Sequence, residues 1–275
     1  MAGFETCKSH PCSGILLAFG WLVLLYLLLP SLLVIPVSFT DTDYLALPEH
    51  GLSLQHWQNT FTDPKWMSGL GQSLFIGFCA MLVATVTGTL CAVGCWKLSS
   101  RLGEAIRVLT LVPMIVPTIV YALGLYRTYT QVENLTHVGM LDTYLGVILA
   151  HAVIGMPFVV ITVGAALSNM DRRLEQAARS LGASATQTLW RVILPNVRPG
   201  ILSGAVFAFI TSWDELVIVL FIASRKVQTL PRAIWSGIRE SLDPSIAVIA
   251  VLLITVTFIA LVPTLLSRRN ANSSH

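Results

Sequence analysis

The sequence predicts an all-α membrane protein, and three observations carry that expectation: an apolar composition, six apolar runs of spanning length, and a one-sided distribution of basic residues. Of 275 residues, 55% are apolar and 11% charged, with a mean hydropathy of +0.74. A water-soluble fold of this composition could not cover its surface with polar groups. About 20 apolar residues cross the hydrocarbon as helix. Residues 14–37, 69–96, 105–126, 143–167, 201–223 and 246–266 each reach that length. A membrane β-barrel would show short alternating strands instead, and the sequence has none.

Basic residues in short loops are retained on the cytoplasmic side. With both termini inside, the inner segments hold Lys8, Lys97, Arg101, Arg107, Arg172, Arg173, Arg179, Arg191, Arg198, Arg268 and Arg269. The outer segments hold only Lys65, Arg127, Arg225, Lys226, Arg232 and Arg239, along with most of the loop acids, Asp142 among them. The expected organisation is an inner tail at 1–13, a membrane domain at 14–266 with a polar insert at 168–200, and an inner tail at 267–275. The net charge of +3 reflects this retention. No basic patch with interleaved aromatics calls for a nucleic-acid partner.

The first span is too long for a signal peptide and is expected to be a retained helix, with Pro30 and Pro36 interrupting its end. Cys7, Cys12, Cys79, Cys91 and Cys95 have neither metal-ligand nor disulfide spacing and read as small packing residues in a reducing compartment.

The insert between the fourth and fifth spans is too polar for lipid yet helical in pattern. Leu174, Ala177, Ala178 and Leu181 recur at i, i+3, i+4 and i+7, forming one face of a short helix. Gly182 suits the left-handed cap that ends it. Ser184 and Gln187 have capping-box spacing, so a second helix is expected to begin there and run until Pro195 stops it.

These residues resemble the cytoplasmic coupling motif of bacterial ABC importer permeases: Glu-Ala-Ala, three residues, Gly, nine residues, Ile, one residue, Leu-Pro. Ala177, Ala178, Gly182, Leu194 and Pro195 fall in register, Val192 replaces Ile, and Gln176 stands at the Glu position with Glu175 just before it. The resemblance extends to His151, Pro157, Phe158 and Val159, to Asp214-Glu215-Leu216-Val217, to Thr229-Leu230-Pro231 and to Trp235-Ser236-Gly237-Ile238-Arg239. Those runs are similar to the second permease subunit of the spermidine/putrescine group. The resemblance implies a type I importer architecture in a bacterial inner membrane, with Glu175 to Gly182 docking on an ATPase. It also implies a homologous second permease, two copies of that ATPase and a periplasmic substrate-binding protein. The chain has no Gly-x-x-x-x-Gly-Lys-[Ser/Thr] loop to cradle phosphates. It is therefore expected to bind no cofactor and to be no enzyme itself, ATP and Mg residing on the partner ATPase.

Trp213, Asp214 and Glu215 fall within the fifth span, where an ionisable side chain is costly unless it faces protein or water. A carboxylate beside an indole offers an organic cation both Coulomb attraction and a π-face. Asp214 is expected to face a transport path and Glu215 a neighbouring helix or the companion subunit. Pro113 and Pro117 should break or bend the third span near Thr118, Tyr121 and Gly124, as in cavity-lining transporter helices. Polyamine permeases of the resembled group can carry an acid after the second proline, where Thr118 stands here. The transported solute is thus expected to be a polyamine or related small amine. His151 reads as a hydrogen-bonded packing residue. Residues 230–242 read as an interfacial helix with Ile234, Ile238 and Leu242 on one face, serving as a gate, a docking surface or a connector. The alternatives are an ABC permease for another small organic solute and, ranked behind it, an ion-coupled secondary transporter. An ion-coupled secondary transporter would show inverted repeats, and an intramembrane hydrolase its own motifs; the sequence has neither.

Overall fold

The computed structural model describes residues 11–98, 100–240 and 242–272, and their regular elements are all helical. In chain order these are α1 (Pro11–Val37), α2 (Gln55–Thr62), α3 (Pro64–Leu98), α4 (Arg101–Ile115), α5 (Thr118–Thr136), α6 (Tyr144–Ser168), α7 (Arg172–Ser180) and α8 (Ala185–Thr188). A π-helical turn (Leu189–Ile193) leads into α9 (Leu194–Trp213), followed by α10 (Val217–Ile222), α11 (Leu230–Glu240) and α12 (Ser245–Asn272). Leu16–Val37, Pro64–Leu98, Tyr144–Ser168 and the continuous run Ala185–Trp213 are long and apolar enough to cross a membrane. α4 and α5 meet the same length and composition criteria only as a pair, bent by 105° at their junction, and α12 contributes the shorter apolar stretch Ser245–Ile259. Residues 1–10, including Cys7 and Lys8, lie outside the described residues.

The chain divides into two compact units, Pro64–Trp235 and Met1–Asp63 with Ser236–His275. In the smaller unit α12 packs on α1 and α2. Contrary to the expected interruption, α1 runs through Pro30 and Pro36 to Val37. A proline frees a carbonyl one turn back, and in a membrane helix neighbouring groups and local adjustment absorb that loss. α12 is helical to Asn272, so the expected inner tail from 267 begins as helix. Between α1 and α2 the Asp41 carboxylate accepts the Glu49 and His50 N–H groups at 3.0 and 3.1 Å, and Phe39 stacks on Trp57.

The larger unit is built on α3, α6 and α9, which pack on one another through small residues. A Cβ on Gly204 would lie 2.8 Å from Val159 Cα, and one on Gly200 2.7 Å from the Thr162 carbonyl oxygen. Only a missing side chain lets the α9 and α6 backbones approach so closely. Two apolar cores lie along this bundle. One joins Ala84, Val159, Val163, Ile193 and Val197 near α7; the other joins Ile76, Ala122, Val147, Ile218 and Ile222 toward the opposite end. Buried His151 on α6 meets buried Ser212 on α9, Nδ1 to Oγ, at 2.8 Å.

Of the two prolines in the third span, Pro113 sits inside α4 and Pro117 breaks the chain. Val116 is forced to extended backbone (φ −72°, ψ 128°) by the ring that follows it. α11 packs on the chain through a face other than the one expected at the membrane interface. Leu230 and Ala233 are buried, Ala233 against Gly69, whereas Ile238 and Leu242 are exposed.

At the end of α6 remote from α7, Asp142 closes a long-range latch. Its own N–H donates to the Ile222 carbonyl at 2.8 Å. Its carboxylate accepts the consecutive N–H groups of Ser224, Arg225, Lys226 and Val227 at 2.7 to 3.4 Å. Gln72 and Ser73 accept the N–H groups of Gln228 and Leu230, both at 2.8 Å, and Arg232 donates back to the Ser224 and Val227 carbonyls. Partial burial of Asp142 opposes its charge. The N–H groups of Arg225, Ser224, Lys226 and Val227 outweigh that, holding the carboxyl at about 2, below its usual 3.8. A depressed folded-state value contributes stability above the unfolded value and loses it as pH falls through the folded one. Asp142→Asn is therefore expected to lower stability at neutral pH, by on the order of 1–2 kcal/mol after solvent screening, and with it the thermal midpoint. The gap from the parent should close as pH drops from about 3.8 to about 2. Thermal melts of the two proteins across pH check this, and an equal gap at every pH would refute the charge as its source.

Candidate functional site

The polar insert forms a helix, a turn and a second helix at one end of the larger unit. Asp171 caps α7 by accepting the Arg173 N–H at 2.9 Å. At its far end the Gly182 N–H reaches the Arg179 carbonyl and the Ala183 N–H the Ala178 carbonyl, both at 3.0 Å. That bond pair is a Schellman cap, and Gly182 takes the left-handed conformation it requires, with φ at 83°. Ser184 and Gln187 then exchange both capping-box bonds, at 2.9 and 3.2 Å.

The second helix does not stop at Pro195 as expected. The π turn passes the chain from α8 into α9, and Pro195 occupies the first turn of α9, where a missing N–H costs little. α7 rests on α8 and the π turn. Glu175 pairs with Arg179 one turn on, Oε1 to Nη2, at 2.9 Å. Gln176 and Ala177 are exposed, Ala178 half-buried. Leu181 is 89% exposed and Leu174 45%, so these two residues of the apolar face of α7 are largely uncovered among the described residues.

The second group of candidate residues lies where helices break. The expected continuous span 201–223 is interrupted: α9 ends at Trp213, Asp214 follows its last turn, and α10 starts at Val217. Neither Gly nor Pro causes this. The Glu215 carboxylate accepts the Ile218 N–H at 2.9 Å and so caps α10, offering the backbone an alternative to continuing the helix. Asp214 is exposed, and among the described residues its carboxylate has no partner. Trp213 is half-buried and stacks on Phe209. α10 packs against α5. Tyr121 of α5 lies against the core containing Ile218 and donates its hydroxyl to the Ala150 carbonyl at 3.1 Å. Thr118 opens α5 directly after Pro117 and is half-buried. The packing thus gathers Tyr121 and the Glu215 side of the break around one core. Among the described residues no bond joins Thr118 to Asp214. No cluster of three His, Cys, Asp or Glu suited to a metal is present among them either.

Residues 84–271 match the family described as the binding-protein-dependent transport system inner membrane component. The chain belongs to that family. It is 27% identical over 254 residues to the spermidine/putrescine transport system permease protein PotC of Haemophilus influenzae, covering 92% of this chain and 96% of that one. It is 28% identical over 234 residues to the putrescine transport system permease protein PotI of Escherichia coli K12, covering 83% and 82%. A bacterial ABC transporter solved by crystallography and involved in import of the acidic polysaccharide alginate shares its fold. That match has a TM-score of 0.68 at 14% identity, over 97% of this chain and 99% of that chain. The protein is thus a membrane permease component of a binding-protein-dependent transporter.

Sequence reasoning missed two structural residues of this component, Asp142 and the capping role of Glu215. Asp142 had no visible signal, because its partners lie more than 80 positions away. Glu215 had one, an acid three residues before the first free N–H of α10.

Proposed function

We propose that this chain is one of two permeases in an ATP-driven importer that carries a polyamine or related small amine across a bacterial inner membrane. A soluble binding protein delivers the solute, and two copies of an ATPase dock through α7. Six spans with both termini cytoplasmic put α7 on the ATPase side. The observation that carries the solute class is Asp214. A carboxylate without a partner among the described residues, beside the indole Trp213 and at a break in a spanning helix, fits a path for an organic cation. The relatives named for spermidine and putrescine support the same class. Thr118 adds no second charge near the Pro117 break, which favours small amines of low charge as well as putrescine. The bare apolar face of α7 and its fixed cap support a protein partner on that helix.

The test is uptake of radiolabelled putrescine by proteoliposomes containing both permeases, the ATPase and the binding protein. ATP-dependent uptake competed by small monoamines is expected. Binding protein that co-purifies with an anion or a sugar, with no amine uptake, would overturn the solute class and leave the family assignment standing.

A further inference from the structure

At the α7 end of the larger unit, α3, the turn after it, α4 and α6 enclose a cavity of about 420 Å³, within the roughly 300–1,000 Å³ range of small-ligand sites. Its charged lining is Arg101, Glu104 and Arg107, all on α4. No ion pair joins any of these three to another described residue. Arg107 is placed by a glycine opposite it: a Cβ on Gly164 of α6 would lie 3.7 Å from Arg107 Nη2. Trp96 forms another wall and also carries the Arg172 guanidinium of α7, 5.1 Å from its ring centroid. Val160 supplies an apolar part of the floor.

Depth and charge together identify an occupant. α6 has 25 residues, about 37 Å at 1.5 Å each, which exceeds the roughly 30 Å hydrocarbon thickness. Ser168 at its end therefore lies at the level of lipid headgroups, with Gly164 about one turn further in. Two guanidinium groups match a phosphate, and the carboxylate beside them matches an ammonium. α4 also presents exposed Leu102, Val108 and Leu109, along which acyl chains can lie.

We propose that this cavity binds the phosphoethanolamine headgroup of a membrane phospholipid, the phosphate held by Arg101 and Arg107 and the ammonium by Glu104. Basic pockets between spanning helices are established headgroup sites in general; the carboxylate makes this one selective for a zwitterion. Because Trp96 both lines the cavity and carries Arg172, a bound headgroup lies one side chain away from α7.

Native mass spectrometry of the assembled transporter in mild detergent, with phosphatidylethanolamine and phosphatidylglycerol added equally, tests the assignment. The parent complex should retain phosphatidylethanolamine over phosphatidylglycerol by about threefold to fivefold, as expected for one partly exposed charge contact. Glu104→Gln should abolish that preference while keeping lipid bound. Arg101→Ala with Arg107→Ala should lose both lipids, and Arg107→Lys should keep them. Should the double variant fail to assemble, Glu104→Gln and Arg107→Lys decide the matter. No lipid adduct on the parent complex would overturn the proposal, as would an unchanged preference in Glu104→Gln or displacement by inorganic phosphate. The readout requires no transport, so it stands apart from the solute reading.

Discussion

Gly182→Val abolishes uptake by the reconstituted importer or prevents its assembly; this is the largest effect expected of any single substitution in the chain. The reason is conformational. Nothing lies within 4 Å of a Cβ built at Gly182, so there is room for a side chain. Its φ of 83°, however, is a left-handed backbone that costs a residue with a side chain roughly 1–2 kcal/mol, and a β-branched one more. Valine would release the paired bonds to Arg179 and Ala178 and let α7 swing on α8, misplacing the face proposed to meet the ATPase. Gly182→Asn, which tolerates that conformation better, should retain part of the uptake. The measurement is uptake together with substrate-stimulated ATPase activity in proteoliposomes. Parent-level values of both in Gly182→Val would remove the coupling role from α7.

The second large effect concerns the break after α9. Asp214→Asn preserves size and removes the charge, and loss of one close charge contact is worth on the order of 1–4 kcal/mol at high to intermediate dielectric. Amine uptake should fall about tenfold or more, while the ATPase still co-purifies because α7 is untouched. Glu215→Gln should do less, since its amide oxygen can still accept the Ile218 N–H that the carboxylate accepts at 2.9 Å. Glu215→Ala removes the cap and should destabilise the protein by about 0.5–2 kcal/mol. Normal amine uptake by Asp214→Asn would exclude Asp214 from the path. Dissociation of the complex would make it a structural acid instead.

What could be read beforehand follows the range of the interactions. The left-handed cap at Gly182, the capping box of Ser184 and Gln187, and the break at Pro117 are local: each rests on residues within one turn, and each stands in the structure. Apolar length and composition gave the all-α membrane class for the same reason. Features set by longer-range packing or a single side-chain cap escaped. The break at Asp214 looked continuous because hydropathy averages over two acids in an apolar run, while a single side-chain cap at Glu215 decides the backbone. The packed face of α11 follows from Gly69 on another helix, which periodicity along α11 does not contain. The Asp142 latch joins loops on either side of α6 and α9, and nothing in either loop alone reveals it. Among the site candidates, placement was legible for the insert and only partly so for the path, because the chain's own packing holds Glu215 and Tyr121 and leaves Asp214 free.

The π turn at Leu189–Ile193 bears on how α7 is aimed. A π turn is an α-helix carrying one surplus residue, with the Leu194 N–H reaching back to the Leu189 carbonyl. Everything before it is therefore offset by one position from the helical wheel of α9, an azimuth of about 100° and an axial step of about 1.5 Å. A chain lacking one residue there could remain helical from Ala185 to Trp213 and bury the same α9 residues. It would nevertheless point the exposed apolar face of α7, the proposed coupling face, in another direction. The bearing of that face is set by residue count, a quantity that ordinary substitution leaves alone and a single-codon deletion changes at once.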